Sequence, residues 1–225
     1  GKALEAPRLL VHSFFLSPHS LVPLSTRSLK PVNNMKNYRY LFLDLDGTLT
    51  DSAPGIVRSA RYALDSFGIR VDNPEDLLRF VGPPLEDSFI DFYHFTPEQA
   101  DEAVKIYRKR YETIGVYENA LYPGIVEFLD AARAAGKVLM VATSKPQRMA
   151  DLVLSHFGIA DRFAFVGGRD DHAHRTKEEV IRYVMRTNGL TDTSDIVMIG
   201  DRKHDILGAR AVGLDSVGVL YGYGN

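Results

Sequence analysis

The sequence has no cysteine. That absence excludes disulfides, thiol nucleophiles and thiolate metal centres, and it fits an intracellular enzyme, so a cytoplasmic location is expected. Long apolar runs are missing too; none approaches the ~20 residues of a membrane-spanning helix. Charge of one sign is not in excess, since 27 Lys and Arg stand against 29 Asp and Glu for a formal net charge of -2. Nothing global therefore points to nucleic acid or to an acidic membrane as a partner. Internal repeats and low-complexity tracts are absent. What is present is a chain of 225 residues, enough for one sizeable core and a smaller accessory domain. With modest charge and no obvious apolar stripe, a monomer is expected.

Residues 1–34 differ from the rest. Their single acid is Glu5, set against Lys2, Arg8, Arg27 and Lys30 among many Ser, Leu and Pro. One origin is a basic, acid-poor targeting peptide with a weak apolar centre over 9–16. The other, which is the expected one, is an upstream extension ahead of a natural start at Met35. Neither gives this leader a part in catalysis.

The informative stretch begins directly afterwards. Tyr40-Leu41-Phe42-Leu43 is a short apolar run of the kind that forms a parallel strand buried on both faces. It ends abruptly in Asp44-Leu45-Asp46-Gly47-Thr48. Strand alternation puts Asp44 and Asp46 on the same side, at the carboxyl end of a strand, where open α/β sheets bind ligands. Carboxylates this close repel, so the place calls for a cation, a shared proton or both. Gly47 permits a sharp exit and a close backbone approach.

Helical spacing then dominates. Ile56, Val57, Ala60, Ala63, Leu64 and Phe67 recur over 55–67, and Gly68 stops the run. A short second helix opens at Asn73-Pro74, a third follows the break at 81–85, and a fourth starts at Thr96-Pro97-Glu98 and runs to about 114. These four helices, with no good strand between about 52 and 120, predict a helical cap over 51–120. Beyond Tyr122 the pattern alternates. Strands are expected at 138–142, 163–166, 196–199 and 216–219, with helices over 125–135, 146–157, 176–188 and 203–212. With the first strand, that predicts an α/β fold: a doubly wound, parallel five-stranded core from 35–50 and 121–225, interrupted by the cap.

Three strand ends and one helix start carry complementary polar groups. The first strand offers Asp44 and Asp46; the second ends in Thr143-Ser144-Lys145-Pro146, a hydroxyl and backbone N–H groups at a helix entrance, which suits an anion. The IVMIG strand ends in Gly200-Asp201-Arg202-Lys203-His204-Asp205. Lys177 follows Thr176 in a T-x-x-E capping box completed by Glu179. A lysine at the positive end of a helix is misplaced by about 0.3–1 kcal/mol, unless it faces carboxylates and phosphate.

Through DLDGTLTDSAPGI, VGPPL, ATSKP and GDRKHDILGA, residues 36–225 resemble the haloacid dehalogenase-like hydrolases, most closely phosphoglycolate phosphatase-like and 5'-nucleotidase-like members. The resemblance implies a Mg²⁺-dependent phosphomonoesterase acting on a small molecule through an aspartyl-phosphate. It makes Asp44 the nucleophile and Asp46 the general acid and base. Thr143, Ser144 and Lys177 would hold phosphate. Mg²⁺ would sit on Asp44, the Asp46 carbonyl oxygen and Asp201, with Asp205 orienting that set. An acid at position 46 favours phosphoryl transfer over dehalogenation, which has no alkoxide to protonate. A phosphomutase and a catalytically silent binding module on the same scaffold are the alternatives.

Other features divide more evenly. Gly82 and Pro83 lie in a stiff turn between cap helices that could present a specificity loop, and Lys145 either reaches the substrate or finishes a strand. The Asp170-Asp171-His172-Ala173-His174 tract fits no standard closed metal site and is expected to be a solvated loop. His204 reads as a surface group or a support for its acidic neighbours. Related proteins continue past Leu220-Tyr221-Gly222-Tyr223-Gly224-Asn225 with another helix and strand, so weaker support is expected at that sheet edge.

Overall fold

The computed structural model describes residues 36–170 and 172–224; the leader with its two possible origins, and Asp171 and Asn225, lie outside the described residues. Along the chain come β1 (Tyr40–Leu43), β2 (Thr50–Asp51), α1 (Ala53–Ser66), a 3-10 helix (Pro74–Phe80), α2 (Leu85–Tyr93), α3 (Pro97–Tyr111) and β3 (Ala120–Leu121). Then follow α4 (Ile125–Ala134), β4 (Val138–Pro146), α5 (Gln147–His156), β5 (Phe165–Arg169), α6 (Lys177–Thr187), β6 (Ile196–Gly200), α7 (Lys203–Val212) and β7 (Asp215–Gly218).

Five strands form one parallel sheet in the order β5-β4-β1-β6-β7. β1 is central, with Phe42 opposite Met140 and Met198, and Leu43 opposite Val141 and Ile199. Side-chain alternation feeds two cores from this one strand. Phe42, Met140 and Met198 pack with Val180, Ile181 and Val184 of α6, while Leu43 and Val141 pack with Leu129 of α4 and Val153 of α5. Helices thus cover both faces, which is why the strands read as unbroken apolar runs.

The helical insert enters and leaves through a two-stranded antiparallel ribbon, with Thr50 opposite Leu121 and Asp51 opposite Ala120. Its interior is aromatic: Phe80 meets Phe89 edge-on at 5.0 Å, and Phe89 stacks on Phe95 at 5.7 Å. Thr96 and Gln99 cap α3 reciprocally, as Thr96-Pro97 suggested. Among the described residues, no helix is long and apolar enough to cross a membrane.

Three details depart from expectation. The strand expected at 138–142 runs on to Pro146, whereas the short helix expected from Asn73-Pro74 does form, as a 3-10 helix of seven residues. The third expected strand, 163–166, forms instead at 165–169. Gly167 is the reason: a Cβ there would lie 2.3 Å from Val184 Cγ2, so close packing of α6 requires residues that sequence patterns score against a strand. The β2–β3 ribbon was not anticipated, two residues per strand being too short to show alternation.

Phe42 is fully buried in the central strand. Phe42→Ala is expected to lower unfolding stability by about 3–5 kcal/mol in urea titrations; a loss under about 1 kcal/mol would show that β1 does not anchor this core.

Candidate active site

The carboxyl ends of β1, β4 and β6 open on one edge of the sheet, and the polar residues expected there arrive together. The Asp44 amide still donates to Ile199 O at 2.9 Å, so the strand geometry persists to the residue whose side chain is needed. The chain then turns tightly, with the Thr48, Leu49 and Thr50 amides all converging on Leu45 O. Gly47 takes φ +83° in this turn, and a Cβ on it would stand 2.3 Å from Asp201 Oδ2. Any larger residue would displace the acid contributed by β6.

Lys177 does face the acids. The Thr176 hydroxyl accepts from the Glu179 amide at 3.2 Å and Glu179 returns to the Thr176 amide at 2.9 Å, which fixes the start of α6. The Lys177 ammonium is buried there, 2.7 Å from Asp205 Oδ1 and 2.9 Å from Asp44 Oδ1, and it donates to Ala142 O at 2.9 Å. Burial alone would lower its pKa, but the Asp205 and Asp44 charges outweigh that and hold it above the usual lysine range.

Asp44, Asp201 and Asp205 each place a carboxylate oxygen within 4.8 Å of the others, and all three are buried. Burial pushes the Asp44 carboxyl up to about 7; the Asp205 charge adds to this, while Lys177 and the Thr143 hydroxyl pull it back. Burial also raises Asp201, opposed by the Tyr223 amide. Three acids against one ammonium leave the cluster short of positive charge. An all-oxygen donor set of this kind suits a hard divalent cation such as Mg²⁺. Asp205 supports more than it offers: Oδ1 takes Lys177, and Oδ2 accepts from the Arg202 amide at 3.0 Å.

Asp46 shares the cavity but turns to a different lysine. Lys145 Nζ binds both its oxygens at 2.8 and 2.7 Å and lies 5.1 Å from the centre of the Tyr111 ring in the insert. Lys145 therefore does more than finish a strand, although the sequence left that choice open. Thr143 is buried in the second half of β4, and Ser144 lines the same cavity, about 490 Å³ between sheet and insert. Gly82 and Pro83 line it from the insert, and the position of a Gly82 Cβ is 2.8 Å from Arg202 Nε, so the turn sits directly on the sheet domain.

Some lining residues were not singled out from the sequence. Arg148, Arg169, Arg175 and Arg202 add positive charge around the cavity, and Arg148 crosses to Glu112 of the insert at 2.9 Å. The adjacency of Arg202 to Asp201 was the available signal. Among the described residues of the 170–174 tract, Asp170 Oδ1 accepts from the His172 and Ala173 amides, closing a turn. His174 is buried there, stacked on Tyr183 at 4.1 Å, rather than solvated as expected. His204 lines the cavity, with its pKa lowered by burial.

The family model for haloacid dehalogenase-like hydrolases matches residues 40–219. The chain belongs to that family. A 5'-nucleotidase from Pseudomonas aeruginosa is 42% identical to this hydrolase over 84% of this chain and 85% of its own. Tyrosine-protein kinase PtkA of Mycobacterium tuberculosis is 40% identical over 82% of this chain, which spans 62% of that protein's length. A phosphoglycolate phosphatase from Vibrio vulnificus is 31% identical over 82% of this chain and 85% of its own. Among solved structures, a Clostridium acetobutylicum protein described as a predicted phosphatase superposes with a TM-score of 0.80 at 43% identity, covering 84% of this chain and 88% of the other.

Removing the hydrolase's buried ammonium would leave Asp44 and Asp205 uncompensated. Lys177→Met is therefore expected to cost about 3–5 kcal/mol in urea denaturation without divalent cations; unchanged stability would show that Lys177 does not hold the acids together.

Proposed function

We propose that the hydrolase is a Mg²⁺-dependent phosphatase that cleaves small phosphomonoesters through an aspartyl-phosphate at Asp44. One observation carries this: Asp44 lies buried at a strand end between Lys177 and a carboxylate cluster, and Asp46 lines the same cavity. Phosphate entering from the cavity meets the Thr143 hydroxyl, the amides that follow it and the Lys177 ammonium. A carboxylate oxygen of Asp44 attacks phosphorus, the Asp44–phosphorus bond forms, and the ester P–O bond breaks. Asp46, released from the Lys145 ammonium as the substrate enters and protonated from solvent, gives its proton to the departing alkoxide oxygen. In the second half Asp46 takes a proton from water, the water oxygen bonds to phosphorus, and Asp44 is released with free phosphate.

Asp44, the Asp46 carbonyl oxygen and Asp201 would hold Mg²⁺, with Asp205 orienting the set. When bound, the ion supplies charge neutralisation and in-line alignment for the transferring phosphoryl group. Lys145 and the Gly82-Pro83 turn frame the side of the cavity where the leaving group lies. The same proposal takes 35–50 and 121–225 as the catalytic core and 51–120 as a cap that excludes water when closed and opens for release. It includes a monomer acting on a free small molecule, in a cytoplasmic setting suited to a cysteine-free chain.

The likeness to a protein named a tyrosine-protein kinase favours a second outcome, in which a phosphoryl group passes to an acceptor hydroxyl rather than to water. A panel of phosphoglycolate, nucleoside 5'-monophosphates and sugar phosphates with Mg²⁺ separates the two. Free phosphate is expected, with loss of release on chelation and on Asp44→Asn, the latter by about a thousandfold or more. Near wild-type turnover of Asp44→Asn would remove the mechanism; phosphate recovered only on an acceptor would favour transfer.

A further inference from the structure

The end of the described chain is built into the active site. Beyond β7 it runs back across the turn that follows β1. The Tyr221 hydroxyl donates to Thr48 O at 2.9 Å, and its ring lies 4.7 Å from that of Tyr122, the residue after β3. The Tyr223 amide donates to Asp201 Oδ2 at 2.7 Å. The Tyr223 hydroxyl donates to Asp51 of β2 and accepts from the Ala53 amide at the start of α1.

Two glycines make this approach possible. A Cβ on Gly222 would lie 2.3 Å from Gly47 O and 2.4 Å from Asp201 Cβ, and one on Gly224 would lie 1.7 Å from Asp201 O. Such distances leave no room for a side chain. Asp201 is thus enclosed by backbone, with Gly47 on one side and Gly222 on the other, and one carboxylate oxygen is committed to the Tyr223 amide.

We infer that residues 221–224 form a positioning strap that fixes the Asp201 carboxylate for Mg²⁺ and ties it to β2 and to the residue that follows β3. The inference rests on the Mg²⁺ reading above and adds a residue set to it. Groups that orient a ligand commonly change metal affinity by 10–100-fold when altered. Because the strap also contacts β2 and the residue after β3, cation binding and the seating of the ribbon bias each other reciprocally.

The test is calorimetric titration of Mg²⁺ into the full chain without substrate, for wild type, Tyr223→Phe and Gly222→Ala. Tyr223→Phe keeps the ring and the amide and removes only the hydroxyl contacts, and about 3–10-fold weaker Mg²⁺ binding is expected. Gly222→Ala, which forces a methyl against Asp201, is expected to weaken binding by about tenfold or more. In hydrogen exchange, Mg²⁺ is expected to protect β2 and β3 amides in wild type and to do so less in Tyr223→Phe. A lowered melting temperature with unchanged Mg²⁺ affinity would assign the strap a purely structural role and overturn the inference. If Gly222→Ala does not fold, Tyr223→Phe decides alone. A wild-type chain that binds no Mg²⁺ would overturn the Mg²⁺ reading as well, whereas equal binding by all three proteins overturns the strap only.

Discussion

A single ammonium group buried between two carboxylates is the constraint on which the rest of the structure depends. Asp44 follows β1, Asp205 lies in the first turn of α7, and Lys177 joins them from the start of α6. Taken out of water singly, each charge would be costly; together they are held by mutual attraction and a backbone carbonyl. The start of α6, which Thr176 and Glu179 cap reciprocally, is thereby tied to the end of β1 and to α7. Asp201 leaves the cluster with more negative than positive charge, which is the electrostatic basis for a divalent cation there.

Around this fixed centre the contacts to the insert are of a different kind. The Arg148–Glu112 pair is largely solvent-exposed and worth about 1 kcal/mol or less. Lys145 over Tyr111 and Gly82 against Arg202 add to an apolar cluster that runs from Leu43, Leu129 and Val153 into Phe80, Tyr107 and Val116 of the insert. The sheet edge thus carries the charged groups, while the insert supplies the opposite wall of the cavity through Phe80, Gly82, Tyr107 and Tyr111. That division suits a site that must admit a substrate and then exclude water.

Much of this was legible in the sequence because charge at the end of a buried strand has few structural explanations. Asp44, Asp46 and Asp201 stood out for that reason, and Lys177 stood out as a cation on the wrong end of a helix. All four line or adjoin the same pocket. The Asp46–Lys145 pair was not legible, since nothing local says which of two lysines meets which of two acids. β5 was displaced because Gly167 and Gly168 serve packing, not propensity. The Tyr221–Gly224 contacts were hidden for a similar reason: a close approach to Asp201 is a property of the fold, and a short Tyr-Gly repeat looks like a loop.

The covalent step is tested most directly by borohydride trapping during turnover, followed by peptide mass mapping. An acyl phosphate on a carboxylate is reduced to an alcohol, so homoserine at position 44, formed only with substrate and Mg²⁺ together, is predicted. Reduction at another acid, or no reduced residue while phosphate is still being released, would contradict Asp44 as the nucleophile.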